Sequence, residues 1–474
     1  MTTGTVAAID LGATSGRVII GRVGPDTLAT ETVARFPNDP VPTIDGLHWD
    51  ILSLYGAALN GLRDAFRAEP GIRSVGVDAW AVDYGLLRDG RLLGNPLHYR
   101  DDRTARGVAA VHERMPHAEL FERNGLQFLP FNTLYQFAAE ERDILAFADQ
   151  ALLIPDLIGY WLTGGARAEV TNASTTGLLR TLDHRWDDAL VAALDLPRGI
   201  LPPLIAPGET LGALRADVAA SLGAPSNVTV TAVGSHDTAS AVVAVPMQAD
   251  AAAYISCGTW GLVGVEVDRL VLTPEALAAN FTNEGGVDGR VRLLHNVMGL
   301  WVLSETVRGW ERTEGHRIDL PTLLDSAREV DPSRVPLFDV NDPRFLPPGD
   351  MPSRIDAWCA EHDLAAPRTR AEYTRSIVES LAQAFAESAL EAGRIGGVDV
   401  RTIHIVGGGS LNELLCQRTA DRAGLPVLAG PVEATALGNV LVQARALGLV
   451  SGTLESLRDL VARTHRPRRF DPHA

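Results

Sequence analysis

The spacing of apolar residues changes period repeatedly along the chain. Residues 6–23 hold two short apolar runs, Val6-Ala7-Ala8-Ile9 and Val18-Ile19-Ile20, separated by a turn with glycines at Gly12 and Gly16. Such runs split by glycine predict two strands joined as a hairpin with an unusual turn. A similar unit recurs at residues 252–267, where Tyr254-Ile255-Ser256 runs into Cys257-Gly258-Thr259-Trp260-Gly261 and then Leu262-Val263-Gly264-Val265. Both share an apolar-polar-x-Gly pattern with a hydroxyl nearby, and they lie roughly half a chain apart, which points to an old duplication rather than a short repeat array.

Between and after the hairpins, β-type runs at residues 74–78, 228–233 and 402–406 alternate with helical patterns, an α/β signature. The clearest helix spans residues 370–394: Tyr373, Ile377, Leu381, Ala384, Phe385 and Ala389 recur at helical spacing ahead of Gly396 and Gly397. The apolar run at residues 241–245 ends at Pro246. A division into domains 1–245 and 246–465 is expected there, since 474 residues exceed what one core ordinarily serves.

Charge narrows the partners. A formal net charge of −17 argues against a surface that grips nucleic acid, because that binding needs clustered Lys and Arg. A nucleotide is not excluded, since a few backbone N–H groups and a metal ion suffice for one. The three cysteines, Cys257, Cys359 and Cys416, are far apart and form no C-x-x-C pair, so neither a disulfide framework nor a zinc site is indicated. Residues 1–10 lack the basic flank and long apolar stretch of a signal peptide, and the run at 151–162 is interrupted by Pro155 and Asp156. A cytoplasmic protein without a membrane span is expected.

Five stretches carry candidate chemistry. In Asp10-Leu11-Gly12-Ala13-Thr14-Ser15-Gly16-Arg17, glycines let the backbone approach a ligand and the N–H groups of the turn suit phosphate oxygens; Asp10 offers the hard oxygen that a hydrated Mg²⁺ prefers. The competing reading is a hairpin that needs its glycines only for backbone dihedrals. The run Thr402-Ile403-His404-Ile405-Val406 leads into Gly407, Gly408 and Gly409, a strand-to-glycine geometry used by nucleotide sites, although it matches neither the P-loop nor the dinucleotide fingerprint, and a plain strand-to-helix turn is the competing reading. In Gly234-Ser235-His236-Asp237-Thr238, a carboxylate at a strand's carboxyl end is placed to accept a proton from an attacking hydroxyl; equally, Asp237 or Ser235 would serve as a helix N-cap. Residues 78–85 and 124–133 mix aromatics with amides and carboxylates, as sugar sites do and as ordinary cores also do.

Taken together, ordered blocks from about residue 6 to residue 449 resemble the FGGY carbohydrate kinases: residues 10–17, 77–84, 99–101, 125–135, 235–240, 256–260, 283–286, 296–301 and 430–434. The resemblance implies two ribonuclease-H-like (actin-like) domains flanking a catalytic cleft, with sugar held mainly by the first and MgATP mainly by the second. It implies transfer of the γ-phosphoryl group of ATP to a deoxy-ketose such as L-rhamnulose, with L-fuculose, L-xylulose or D-xylulose as alternatives. A non-catalytic actin-like nucleotide switch is the alternative from another class.

By position, the resemblance makes Asp237 the catalytic base and Ala13, Thr14, Ser15, Gly16 and Arg17 the first phosphate contact. Thr259, Ser304, Gly407, Gly408 and Gly409 become ATP contacts, and Ala81, His236, Asp237, Thr238 and Asn296 sugar contacts, with Asp10 reaching Mg²⁺ through water. Two positions depart from the family pattern. Ala81 stands where a glycine is expected, adding a methyl beside the ketose, and Ser304 replaces a longer glutamine on the ATP side.

Overall fold

A computed structural model describes residues 3–180 and 183–473. The chain forms two compact units, and neither is one continuous segment. The first comprises Met1–Pro246, Glu266–Leu293 and Ala434–His465; the second comprises Met247–Val265, Leu294–Glu433 and Arg466–Ala474.

The first unit is built on strands β1 (Gly4–Leu11), β2 (Ser15–Gly24), β3 (Thr27–Pro37), β4 (Ile72–Ala79), β5 (Thr210–Ala213) and β6 (Thr229–Thr231), ordered β5-β6-β4-β1-β2-β3. The hairpin read from the sequence is present: β1 pairs antiparallel with β2, from Gly4 opposite Val23 to Leu11 opposite Gly16. β1 is buried along nearly its whole length, as a strand covered on both faces requires. On its other side β1 runs parallel to β4, which runs parallel to β6. The strand expected over residues 228–233 shortens to Thr229–Thr231, because Ala232 turns its N–H and C=O to Glu209 and Gly208 instead of the ladder.

The second unit repeats this plan. Strands β7 (Ala252–Cys257), β8 (Gly261–Val267), β9 (Thr402–Val406), β10 (Val427–Ala429) and β11 (Arg468–Phe470) run in the order β8-β7-β9-β10-β11. β7 pairs antiparallel with β8 and parallel with β9; β9 pairs parallel with β10, and β11 closes the edge antiparallel. That sequence of pairings is the one found in β2-β1-β4-β6-β5. The duplication suggested by the two hairpins therefore extends through the strands that flank them.

The long helix of the second unit runs Arg370–Gly396. Thr369 and Glu372 form a reciprocal capping box at its start, and Gly397 closes it in the left-handed conformation that glycine adopts without strain. In the first unit, helix Asp237–Val243 packs against helix Ala434–Ala446, and Gly438 lies so close to Ser240 that any side chain there would overlap the Ser240 carbonyl. No helix among the described residues is long and apolar enough to cross a membrane. Cys257, Cys359 and Cys416 are free thiols, all buried.

Candidate active site

The parallel strands of the first unit end together, and three carboxylates collect there. Asp10 lies near the end of β1 and is the register partner of Asp78 on β4. Trp80 donates its N–H to Leu11 O, Ala79 donates to Ser235 O, and Ala79 bridges to His236, so the segment carrying Asp237 is fastened to the same strand ends. Carboxyl ends of parallel strands are where α/β proteins gather ligands.

His236 occupies the N-cap position of helix Asp237–Val243 and makes no side-chain capping bond, while Asp237 is the first helical residue. Neither Asp237 nor Ser235 is the N-cap that the sequence also allowed. The Asp237 side chain keeps 31% of its exposure, and its contacts fall on one oxygen: Thr238 Oγ1 donates to Oδ1 at 3.2 Å, and His236 Nε2 lies 3.4 Å from the same atom. Desolvation lifts the Asp237 carboxyl above the ordinary carboxylate range, Asp10 adds to the rise, and His236 and Thr238 oppose it.

Asp10 is buried, and its Oδ2 accepts from Arg17 Nη2 at 2.6 Å. Asp78 is fully buried, and Asn439 Nδ2 donates to its Oδ2 at 2.5 Å. Burial drives the Asp78 carboxyl well above its usual range, with Asp10 and Asp237 pushing the same way. Beside these acids the turn between β1 and β2 is held by Gly12 N–H to Ser15 O, Asn38 N–H to Thr14 O and Asn38 Nδ2 to Gly12 O. Thr14 stands exposed at its tip, and Gly16 faces the Phe36 ring with no room for a side chain.

Ala81 follows Trp80 in a tight turn where Val82 holds φ 69°, a region that β-branched residues rarely enter. Asp83 pins the turn from behind. Its carboxylate accepts from Trp49 Nε1 at 2.6 Å, Trp80 Nε1 at 3.0 Å, Gln136 Nε2 at 2.9 Å and Tyr99 N at 3.2 Å. Burial nevertheless outweighs these donors and raises its pKa to about 6.

Further residues support the Asp237 segment from behind. Glu169 Oε2 accepts from the N–H and the hydroxyl of Ser235, both at 2.9 Å. Glu284 and Arg292 form a buried ion pair against the His236 ring. Glu284 sits inside one of the blocks noted in the sequence, whereas nothing there singled out Glu169 or Arg292. The available signals were a charged residue interrupting the apolar run Val291–Val297 and a Glu placed to cap helix Val170–Ala173.

In the second unit, the glycines meet Cys257, two residues before Thr259. Gly407 has φ 80°, and a Cβ there would stand 2.9 Å from Cys257 O, so the glycine-rich turn lies directly on the end of β7. Gly408 is exposed with open space above it, and Gly409 packs against Cys257 Sγ. A 3₁₀ turn, Gly408–Leu411, intervenes before helix Glu413–Ala423, whose cap is Asn412. Trp301 N–H donates to Thr259 O and Ser304 N–H to Leu300 O, which fixes the start of helix Trp301–Glu314, with Ser304 exposed, against the turn between β7 and β8. Asn296 lies half-buried on strand Val291–Val297.

Residues 5–244 match the N-terminal domain, and residues 253–447 the C-terminal domain, of the FGGY family of carbohydrate kinases. The chain belongs to this family. Like other FGGY carbohydrate kinases, it is an enzyme of ribonuclease-H-like, actin-like fold. Among its relatives is a rhamnulokinase of Pectobacterium atrosepticum, 42% identical over 99% of this chain and 93% of that protein. Another is a rhamnulokinase of Bacteroides thetaiotaomicron, 38% identical over 98% and 95%. A ligand-bound xylulose kinase from Lactobacillus acidophilus shares the FGGY fold, with a TM-score of 0.78 at 16% identity over 99% of this chain and 94% of that one. Plasmodium falciparum glycerol kinase with ADP superposes with a TM-score of 0.75 at 14% identity over 99% and 94%.

Proposed function

We propose that this FGGY kinase transfers the γ-phosphoryl group of ATP to the primary hydroxyl at carbon 1 of L-rhamnulose, yielding L-rhamnulose 1-phosphate in L-rhamnose catabolism. The observation that carries the chemistry is the state of Asp237: one oxygen held, the other without a protein partner among the described residues, at the strand ends of the first unit. The sugar's identity rests on the rhamnulokinase relatives, similar over nearly the whole chain.

In this reading Oδ2 of Asp237 accepts the hydroxyl proton as that oxygen attacks phosphorus in line with the departing ADP. The strained turn at Trp80, Ala81 and Val82, together with His236 and Thr238, shapes the sugar's surroundings in the first unit, and Asn296 is assigned a sugar contact by its place in the family pattern. Backbone donors of Ala13, Thr14, Ser15, Gly16 and Arg17 hold charged phosphate oxygens. In the second unit, Thr259, Ser304 and the open turn at Gly407, Gly408 and Gly409 hold the nucleotide. Positioning and charge stabilisation are most of what such an enzyme contributes.

No group of three or more His, Cys, Asp or Glu among the described residues is close enough to ligate a metal directly. The donor set instead suits a hydrated cation met through Asp10, whose Oδ2 alone is taken by Arg17. Asp10 would hold the hydrated Mg²⁺, and the ion would supply charge neutralisation at the phosphates.

The test is ADP release by the purified protein with MgATP against L-rhamnulose, L-fuculose, L-xylulose, D-xylulose and glycerol. Preference for L-rhamnulose is expected. Preference for another ketose moves the specificity while leaving the phosphoryl transfer in place; silence with every sugar overturns the proposal.

A further inference from the structure

Behind Asp237 and the His236 ring lies a buried pair of charges, Glu284 and Arg292, that sugar binding and phosphate binding leave unused. Arg292 Nη2 is 3.1 Å from Glu284 Oε2 and 3.1 Å from His236 Nδ1, and Glu284 Oε2 is 3.2 Å from the same ring nitrogen. The Arg292 side chain is fully buried and those of His236 and Glu284 nearly so. Arg292 is anchored by its Nε donating to Gly285 O at 2.9 Å, and Gly285 N–H donates to Ser174 Oγ at 2.8 Å. Burial pushes the Glu284 carboxyl up, but Arg292 and His236 more than offset that, and it sits below its usual range as a carboxylate.

Burying an ion pair is costly, and apolar residues of similar volume often serve stability as well or better. What the pair does supply is a fixed hydrogen arrangement on the imidazole. A guanidinium only donates, so when Nδ1 accepts from Arg292 the ring proton sits on Nε2. When the ring is fully protonated, Nδ1–H faces the Glu284 carboxylate and Nε2 again carries hydrogen. Either state presents an N–H to Asp237 Oδ1, 3.4 Å away. A contact of that length is ordinary before substrate binds, since catalytic hydrogen bonds often shorten only in the loaded complex.

We infer that Glu284 and Arg292 are positioning residues for phosphoryl transfer, acting through His236 to hold Oδ1 of Asp237 and leave Oδ2 for the sugar hydroxyl. The inference rests on the reading of Asp237 as the base. Glu169 acts on the preceding residue, Ser235, in the same sense, so both neighbours of the base on its N-terminal side are fixed by buried carboxylates.

The test compares the double variant Glu284→Gln/Arg292→Met, which removes both buried charges together, with Asp237→Asn and with the triple variant, using kcat, both KM values and Tm. The double variant is expected to fold, to keep the wild-type KM for ATP, and to lose about tenfold to a hundredfold in kcat, the scale of a misplaced catalytic group. On the Asp237→Asn background the same two changes should cost nothing more, because coupled residues are not additive.

A folded double variant with wild-type kcat overturns the inference, as does a raised ketose KM at unchanged kcat or an equal loss on the Asp237→Asn background. Near-normal turnover of Asp237→Asn itself would instead overturn the base assignment. If the double variant fails to fold, Arg292→Lys keeps the charge but gives up the fork that reaches both Nδ1 and Gly285 O; the same kcat loss is expected, and normal kcat overturns the inference.

Discussion

Asp10 and Asp78 face each other as register partners on parallel strands, yet only Asp10 has a cation on it. Asp78 receives Asn439 on one oxygen and has no hydrogen bond on the other. Its folded pKa is raised well above the unfolded value, so its contribution to stability is present in acid and is lost as pH rises through the folded value. Asp78→Asn should therefore flatten the pH dependence of Tm. The wild type is expected to fall relative to the variant as pH is taken from the ordinary carboxylate range through neutrality; parallel curves would show that Asp78 does not titrate this way.

Asp237→Asn keeps the shape of the side chain and removes its basicity. Turnover is expected to fall about a hundredfold to ten-thousandfold. Nucleotide binding, read by the change in Tm on adding MgATP, should persist. Because the carboxyl is lifted by desolvation and by Asp10, and must be ionised to act, the acid limb of kcat/KM in the wild type should lie above the pH of an ordinary aspartate.

Asp83 gathers two indole N–H groups, an amide side chain and a backbone N–H on one buried carboxylate. Asp83→Asn turns an amide toward one of these donors and leaves it unsatisfied, at a cost of about 1–3 kcal/mol. Urea unfolding followed by tryptophan fluorescence would report the loss, and an unchanged midpoint would contradict it. The ketose KM should rise as well, since the turn at Trp80 and Ala81 depends on the same anchor.

Gly438→Ala places a methyl against the backbone carbonyl of Ser240. Neither helix can yield without shifting the other, so a loss of at least about 1–3 kcal/mol is expected. Since helix Asp237–Val243 carries the proposed base, kcat should fall even in protein that remains folded. Thermal unfolding and steady-state kinetics on one preparation would check both.

Local signals in the sequence sufficed for the parts of the fold that local chemistry fixes. The glycine turn between Leu11 and Ser15, the apolar run Thr402–Val406 and the helical spacing over residues 370–394 each carry their own structure. Asp237, in a short polar segment after an apolar run, was visible for the same reason. Contacts between segments far apart in the chain are not legible in this way. Arg292 meets His236 from 56 residues away, and Asn439 reaches Asp78 across 361. No periodicity encodes such contacts, because they exist only once the sheet has placed the strand ends together. The strand Thr229–Thr231 is shorter than its apolar run, because apolarity continues past the point where Ala232 leaves the ladder.

The first unit draws its last segment, Ala434–His465, from far down the chain. A ribosome finishes Pro246 roughly 190 residues before it reaches Ala434. At ordinary elongation rates that is a wait of about 10–40 s. During this interval Asp78 lacks Asn439, and helix Asp237–Val243 lacks the helix against which it packs. The nascent first unit is thus incomplete until its last segment is made, and a fragment cut at Pro246 should be unable to stand in for it.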